Sequence, residues 1–181
     1  MTADGWVMTT ESGSPAETRR LAAALAPVCR PGDLVLLTGS LGAGKTVFAQ
    51  GFAAALGVVG PVTSPTFTLV RQYACPPNPA GIEQFVHADL YRLDTLVEVL
   101  DLALPELVDD AAVGLVEWGE VAAPSLGPSA LHVTLTPLDA AAGDLDDDRR
   151  TVTVAGDGPA WADRRPLVAA ALAVAPTAPS S

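Results

Sequence analysis

The chain has 181 residues, 49% of them hydrophobic, and a formal net charge of −11. This length supports one ordinary hydrophobic core and is too short for two comfortable domains, so we expect a single domain. The acidic balance argues against tight, autonomous binding to a nucleic-acid backbone, which requires clustered cations. Any contact with nucleic acid should therefore run through a partner protein.

The sequence contains no signal for a membrane or for an oxidising compartment. No apolar run approaches the roughly 18 residues of a membrane span, and residues 1–13 lack the basic start and apolar centre of a signal peptide. Cys29 and Cys75 are isolated thiols, which only His87 and His132 could join as soft metal ligands. We expect a cytoplasmic protein without membrane contact, a zinc site or a disulfide framework.

The first predicted elements are a helix and a strand. Residues 14–17, Ser-Pro-Ala-Glu, have the pattern of a capping box with proline at the first helical position. This pattern predicts a helix that runs to about Cys29. After a Pro-Gly turn, residues 33–38 have the composition of a short buried strand.

The stretch GSLGAGKT, residues 39–46, fills every fixed position of the Walker A pattern G-x-x-x-x-G-K-[ST], and we call it the phosphate loop. Its glycines let the backbone approach an anion, and the helix predicted over residues 45–56 directs its N–H groups and positive dipole end at the same phosphates. Lys45 should reach the β and γ oxygens, and the Thr46 hydroxyl should bind Mg²⁺. Lys45 is the single lysine beside nine arginines, as expected where a slim point charge is needed among phosphates. The expected nucleotide contacts in this region are Gly39, Leu41, Gly42, Ala43, Gly44, Lys45, Thr46 and Val47.

The segment after the phosphate-loop helix predicts an antiparallel pair of strands. An alternating segment from Phe67 to Tyr73 and a second one from Gln84 to Leu90 are joined by a turn-rich connection over residues 74–81. A short Pro/Gly connection favours antiparallel pairing, here beside a parallel core.

The remainder of the chain predicts helices and three further strands. Leucines and acids at helical spacing over residues 95–110 are interrupted by a proline, and the strands are expected at 112–118, 131–136 and 149–156. The acidic segment 139–148 is interpreted as a solvated connection rather than a metal site, because its acids lack the interleaved glycine and the closing glutamate of a calcium loop.

Two carboxylates near strand ends are candidates to complete a magnesium site. Asp89 lies near the end of the segment FVHADL, and Glu117 lies near the end of VGLVEW. In open α/β sheets the carboxyl ends of the strands face the ligand. Asp89 is predicted to hold Mg²⁺ directly or indirectly, and Glu117 to hold the metal or orient the attacking water. The alternative for each is a solvated acid at a strand end. His87, on the same side of its strand as Asp89, is interpreted as structural rather than as a general base.

The segments GSLGAGKT, SPTFTLVRQY, HADLYRL and VEWGE, in this order, resemble the bacterial TsaE family, the small ATPases of the pathway that makes N6-threonylcarbamoyladenosine in tRNA. The resemblance covers roughly residues 15–156. It implies an α/β fold, namely a P-loop NTPase-like mixed sheet with flanking helices in a single domain. It also implies ATP and Mg²⁺ as ligands, and an assembly with the TsaB and TsaD proteins in which hydrolysis supports turnover of the modifying complex and tRNA is reached only indirectly.

The same resemblance assigns roles to individual residues. Lys45 contacts the phosphates and acts in catalysis, Thr46 and Asp89 hold Mg²⁺, and Glu117 becomes a metal ligand or the catalytic acid. The SPTF segment becomes a switch-like loop near the γ-phosphate, with Thr66 as a nucleotide contact.

The expected organisation of the chain combines the resemblance with the residue pattern. A P-loop ATPase domain is expected over residues 1–156, and the residues themselves predict a C-terminal helix within 157–174, starting near Ala160, and a disordered tail over 175–181. The Pro-rich insert at 76–80 has no role under this resemblance.

Three functions compete. The first is an ATPase whose hydrolysis switches partner proteins, and the second is a small-molecule kinase on the same loop. Such kinases usually close an arginine-bearing lid, whereas residues 60–130 contain only Arg71 and Arg92. The third is a sensor that binds nucleotide without hydrolysing it.

The chain contains no guanine-reading motif of the N/T-K-x-D type, which favours ATP over GTP as the nucleotide. It also lacks an obvious arginine finger, which predicts a low intrinsic rate of hydrolysis.

Overall fold

The computed structural model describes residues 5–93, 95–108, 110–119, 129–138 and 148–174. These residues form one seven-stranded mixed sheet in the order β1-β7-β6-β2-β5-β4-β3, with helices on both faces. The strands are β1 (Trp6–Ser12), β2 (Leu34–Thr38), β3 (Val70–Ala74), β4 (Gln84–Asp89), β5 (Ala112–Glu117), β6 (Leu131–Pro137) and β7 (Arg150–Gly156). The helices are α1 (Pro15–Leu25), α2 (Lys45–Ala55), α3 (Leu96–Asp101), α4 (Leu104–Leu107) and α5 (Pro159–Val174).

The centre of the sheet is parallel and both of its margins are antiparallel. Strands β6, β2, β5 and β4 run parallel, with β2 in the middle. On one side β3 pairs antiparallel with β4, and on the other β7 pairs antiparallel with β6 and with β1. The predicted fold class, a mixed sheet with flanking helices in a single domain, is confirmed, as is the antiparallel pair beside a parallel core.

The sheet separates two hydrophobic clusters. The larger one lies under α1, α2 and α5 and contains Phe48, Phe52 and Trp161, and the smaller one lies under α3 and α4. Strand β2 contributes to both. Val35 and Leu37 belong to the larger cluster, and Leu34 and Leu36 belong to the smaller one. A strand buried on both faces reads as a continuous apolar run, and this explains the LVLLT segment.

The first strand, β1, has no counterpart among the predicted elements. Its sequence WVMTTES is mostly polar after Met8, and only its two end residues are buried. All seven of its residues pair with β7, so distant pairing rather than local composition holds the segment extended.

Three predicted elements have different bounds in the structure. The predicted strand at Phe67 begins only at Val70, because the N–H groups of Thr68 and Leu69 donate to the Pro65 carbonyl oxygen and form a turn. The predicted break within 95–110 lies before Ala103, and the proline expected to cause it falls in the first turn of α4. The first helix ends at Leu25 before a short 3₁₀ turn.

Some predictions concern residues that the structure does not describe. The tail at 175–181 and nearly all of the acidic segment 139–148 lie outside the described residues. Within the described ranges, no helix has both the length and the hydropathy to cross a membrane.

Candidate nucleotide-binding site

The phosphate loop connects the carboxyl end of β2 to the first turn of α2, and two of its glycines are required by its shape. Gly39 has φ of 139°, and a Cβ at this position would clash with the Leu135 carbonyl oxygen of β6. Gly44 has φ of 102° and is the N-cap of α2. Residues with side chains rarely adopt these angles, so the loop depends on glycine at both points.

Lys45 is held over the loop. Its side chain is 5% exposed, and Nζ donates hydrogen bonds to the carbonyl oxygens of Gly39 (2.7 Å) and Ser40 (3.0 Å). Nζ also lies 3.8 Å from the centre of the Trp118 ring, which places the cation over an aromatic face. The positive charge of Lys45 therefore lies at the mouth of the loop.

Glu117, at the end of β5, joins two of the predicted residues. The Thr46 hydroxyl donates to its carboxylate, with Oγ1 at 3.2 Å from Oε1. His87 Nε2 lies 2.9 Å from the same Oε1, and because a carboxylate only accepts, the imidazole donates from Nε2. The Nδ1 atom of His87 is buried and has no hydrogen-bond partner among the described residues. His87 thus orients Glu117, which agrees with the structural role predicted for it.

Asp89, at the end of β4, ties the SPTF segment to the sheet. The hydroxyls of Ser64 and Thr66 both donate to its Oδ2 at 2.6 Å, and the Tyr91 N–H donates to Oδ1 at 3.0 Å. Asp89 and Glu117 are direct partners in the parallel register of β4 and β5, and each is only 3% exposed. The two acids are therefore adjacent, buried and hydrogen-bonded, rather than solvated at strand ends.

A cleft of about 410 Å³ opens over these groups. All of the predicted nucleotide and metal residues line it except Gly39, whose carbonyl instead accepts from Lys45. Three further residues line it as well, namely Ser64, Tyr91 and Trp118. The rings of Tyr91 and Trp118 are 5.0 Å apart, and Trp118 is partly exposed. Tyr91 directly follows the segment HADL, and Trp118 directly follows Glu117. This closeness to the two predicted acids was the sequence signal that could have identified both aromatic residues.

Comparison with known proteins decides the family. A family model described as "Threonylcarbamoyl adenosine biosynthesis protein TsaE" matches residues 12–144. The chain belongs to the TsaE family. The proteins named tRNA threonylcarbamoyladenosine biosynthesis protein TsaE include one from Streptomyces coelicolor that is 43% identical over 145 residues, covering 80% of this chain and 93% of the relative. The one from Bacillus subtilis is 37% identical, covering 80% of this chain and 83% of the relative.

A solved structure supports the same TsaE assignment. The crystal structure of YdiB from Bacillus subtilis superposes with a TM-score of 0.70 at 28% sequence identity, covering 93% of this chain and 95% of that one. Every predicted site residue lies inside the range that the TsaE model matches, whereas β7 and α5 lie beyond it. The predicted membership is confirmed.

The donor atoms around the cleft of this TsaE-family chain fit a magnesium nucleotide. Thr46, Asp89 and Glu117 offer only oxygen atoms, which Mg²⁺ prefers. Within the described ranges, no three His, Cys, Asp or Glu side chains form a group that could hold a metal by themselves. Mg²⁺ commonly binds through one or two carboxylates plus phosphates and water, so such a sparse set is the expected one.

Proposed function

We propose that this protein is a Mg²⁺-dependent ATPase of tRNA threonylcarbamoyladenosine biosynthesis, in which ATP hydrolysis acts as a switch on a complex of TsaB and TsaD. Contact with tRNA would be indirect, through that complex. The observation that carries the proposal is the contact between the Thr46 hydroxyl of a complete phosphate loop and the buried carboxylate of Glu117. The names of the relatives support the pathway.

The residues around the cleft divide into binding and catalytic groups. The loop N–H groups and Lys45 would hold the phosphates, Thr46 and Asp89 would supply oxygen ligands to the metal, and Glu117 would orient the attacking water. When bound, Mg²⁺ neutralises the charge that develops on the transferred phosphoryl group.

Glu117 is suited to orient or deprotonate a water molecule. Its carboxylate is fixed from one side by Thr46 and from the other by His87, so it has a defined direction at the floor of the cleft. A carboxylate positioned in this way can accept a hydrogen bond from the attacking water. Asp89, in turn, connects the cleft to the SPTF segment, which would act as the switch-like loop.

The residues that line the cleft favour slow ATP hydrolysis by the protein alone and faster hydrolysis with its partners. No arginine of the described residues lines the cleft. Arginine groups supplied by a partner raise the rates of such enzymes by orders of magnitude. A low basal rate with strong stimulation is therefore expected.

The decisive experiment measures phosphate release from ATP by the purified protein, alone and with TsaB and TsaD. We expect a low basal rate that rises sharply with the partners. Lys45→Ala should abolish both rates, since it removes the charge at the phosphates. If Lys45→Ala hydrolysed ATP as fast as the wild type, the ATPase proposal would be ruled out. If TsaB and TsaD left the wild-type rate unchanged, the proposed switch on their complex would be ruled out.

Glu117→Ala separates hydrolysis from binding. It should lower turnover by about a hundredfold or more while leaving ATP affinity nearly unchanged, as measured by calorimetry. Glu83→Ala is the matched control, because Glu83 is exposed and precedes β4 at the opposite end of the sheet. If Glu117→Ala changed no catalytic quantity, the protein would be a sensor. If phosphate were transferred to hydroxylated metabolites instead of being released, it would be a kinase.

A further inference from the structure

Arg150 is a buried arginine that contacts the phosphate loop from outside the cleft. It is the first residue of β7 and pairs with Pro137 at the end of β6, and this places it at the carboxyl edge of the parallel strands. The residue is 7% exposed. No spacing in the sequence connects it to the loop, which lies more than a hundred residues earlier.

The guanidinium group bridges two backbone carbonyls. Nη1 donates to the Ala43 carbonyl oxygen at 3.1 Å, and Nε and Nη2 donate to that of Asp148 at 3.1 and 2.7 Å. A Cβ on Gly44 would collide with Nη1. Glycine at this position thus serves a second purpose, because it lets the guanidinium lie directly against the loop backbone.

The ion pair that the described residues give Arg150 is with an exposed carboxylate. Its Nη2 lies 3.5 Å from Asp148 Oδ1, and the Asp148 side chain is 63% exposed. A buried cation is costly unless it is paired, and an exposed partner pairs it poorly because water screens the attraction. The guanidinium charge thus lies against the back of a loop whose glycines and helix N-terminus are typical of anion binding.

We propose that Arg150 is a positioning residue for the phosphates of the nucleotide: it holds the Ala43 carbonyl so that the loop keeps its anion-binding shape, and its charge adds to the attraction for the polyphosphate. This proposal rests on the nucleotide binding proposed above. Because a peptide group is planar, holding the Ala43 carbonyl oxygen also fixes the direction of the Gly44 N–H on the opposite side of the same peptide bond.

Calorimetric titration with Mg-ADP and Mg-ATP tests the proposal. Arg150→Met keeps most of the side-chain volume and should weaken both affinities by roughly tenfold to a hundredfold, as expected for a lost charge-assisted hydrogen bond. In hydrolysis assays the loss should appear as a higher KM, with kcat changed by at most about threefold. Arg150→Lys should recover the affinity only in part, because one ammonium group cannot reproduce the planar fork.

Arg164→Met is the matched control, since Arg164 is also a buried arginine but lies at the other end of β2. It should lower the melting temperature and leave both dissociation constants within about twofold of the wild-type values. A folded Arg150→Met variant with wild-type affinity would overturn the proposal. If Arg150→Met does not fold, Arg150→Lys decides: weaker binding supports the proposal and unchanged binding overturns it. Absence of binding by the wild type would instead refute the nucleotide function itself.

Discussion

The two ends of β2 are both built around buried charges, but the charges are arranged differently. At the amino end, Asp33 accepts hydrogen bonds from both Nη1 and Nη2 of Arg164, the latter at 2.8 Å. The same guanidinium donates to the carbonyl oxygens of Val28 and Ala160 and lies 3.8 Å from the centre of the Trp161 ring. Burial alone lowers the pKa of Arg164, but the hydrogen bonds and charge of Asp33 outweigh it and raise that pKa.

At the carboxyl end of β2, the described residues match the charges mainly with uncharged groups. Asp89 and Glu117 accept from hydroxyls, one imidazole and one N–H, and Arg150 donates mainly to backbone carbonyls. Asp89 and Glu117 line a cleft, whereas the Asp33–Arg164 pair is enclosed between α5 and the sheet. Removing one member of an enclosed pair is costly because the other charge is left uncompensated, whereas acids that line a cleft are typical of binding and catalytic sites.

The largest effect should come from breaking the pair at the amino end. Arg164→Met leaves the Asp33 carboxylate without its cation and should lower the free energy of unfolding by about 3–5 kcal/mol, measured by urea denaturation. The double variant Asp33→Asn with Arg164→Met should recover part of this loss, because it removes the uncompensated charge. A loss below about 1 kcal/mol would mean that the pair does not hold α5 to the sheet.

An intermediate effect should appear at the carboxyl end when the hydroxyl of Thr46 is removed. Thr46→Val keeps the shape of the side chain and should weaken Mg-ATP binding about tenfold, since one oxygen ligand of the metal is lost. Thr46→Ser, which keeps the hydroxyl, should bind within about twofold of the wild type. In EDTA the difference between Thr46→Val and the wild type should disappear. If it persists without the metal, Thr46 contributes through the phosphates or the loop instead.

The smallest effect concerns the thiol that borders the amino-end pair. Burial, and to a lesser extent the charge of Asp33, raises the pKa of the Cys29 thiol, and partial burial raises that of Cys75. Because the thiolate is the reactive form, a raised pKa leaves less of it at pH 8 than a free thiol has. With a disulfide reagent at pH 8, Cys75 should react slowly and Cys29 only after unfolding. Arg164→Met should expose Cys29 to the reagent, and equal rates for the two thiols in the wild type would contradict this comparison.

The residues of the cleft were largely predictable because their signals are local. The phosphate loop has fixed residue types at fixed spacing, and a helix N-terminus after a buried strand explains why that spacing binds anions. Asp89 and Glu117 followed from a general property of parallel sheets, whose carboxyl ends meet at one edge. Their proposed roles toward ATP and Mg²⁺ stay predictions until the measurements described above are made.

Features that depend on distant contacts were not predictable. The seven residues of β1 carry little apolar pattern and become a strand only by pairing with β7. Arg150 is one arginine among nine in the sequence, and its contact with Ala43 appears only when the sheet is assembled. β3 starts late because residues 65–69 form a turn around the Pro65 carbonyl oxygen. The alternation of apolar and polar residues from Phe67 onward is typical of a strand, so it gave no indication of that turn.

The pairing of β1 with β7 has a consequence for how the protein is made. β1 can pair with β7 only after the more than 130 residues between them have been synthesised. At about 5–20 residues per second, this interval is on the order of ten seconds, during which the edge of β1 lacks this partner strand. Arg150 lies in β7 as well, so the phosphate loop gains its contact with the guanidinium only after more than a hundred further residues have been made. The nascent chain should therefore acquire its full affinity for nucleotide only once β7 has been synthesised.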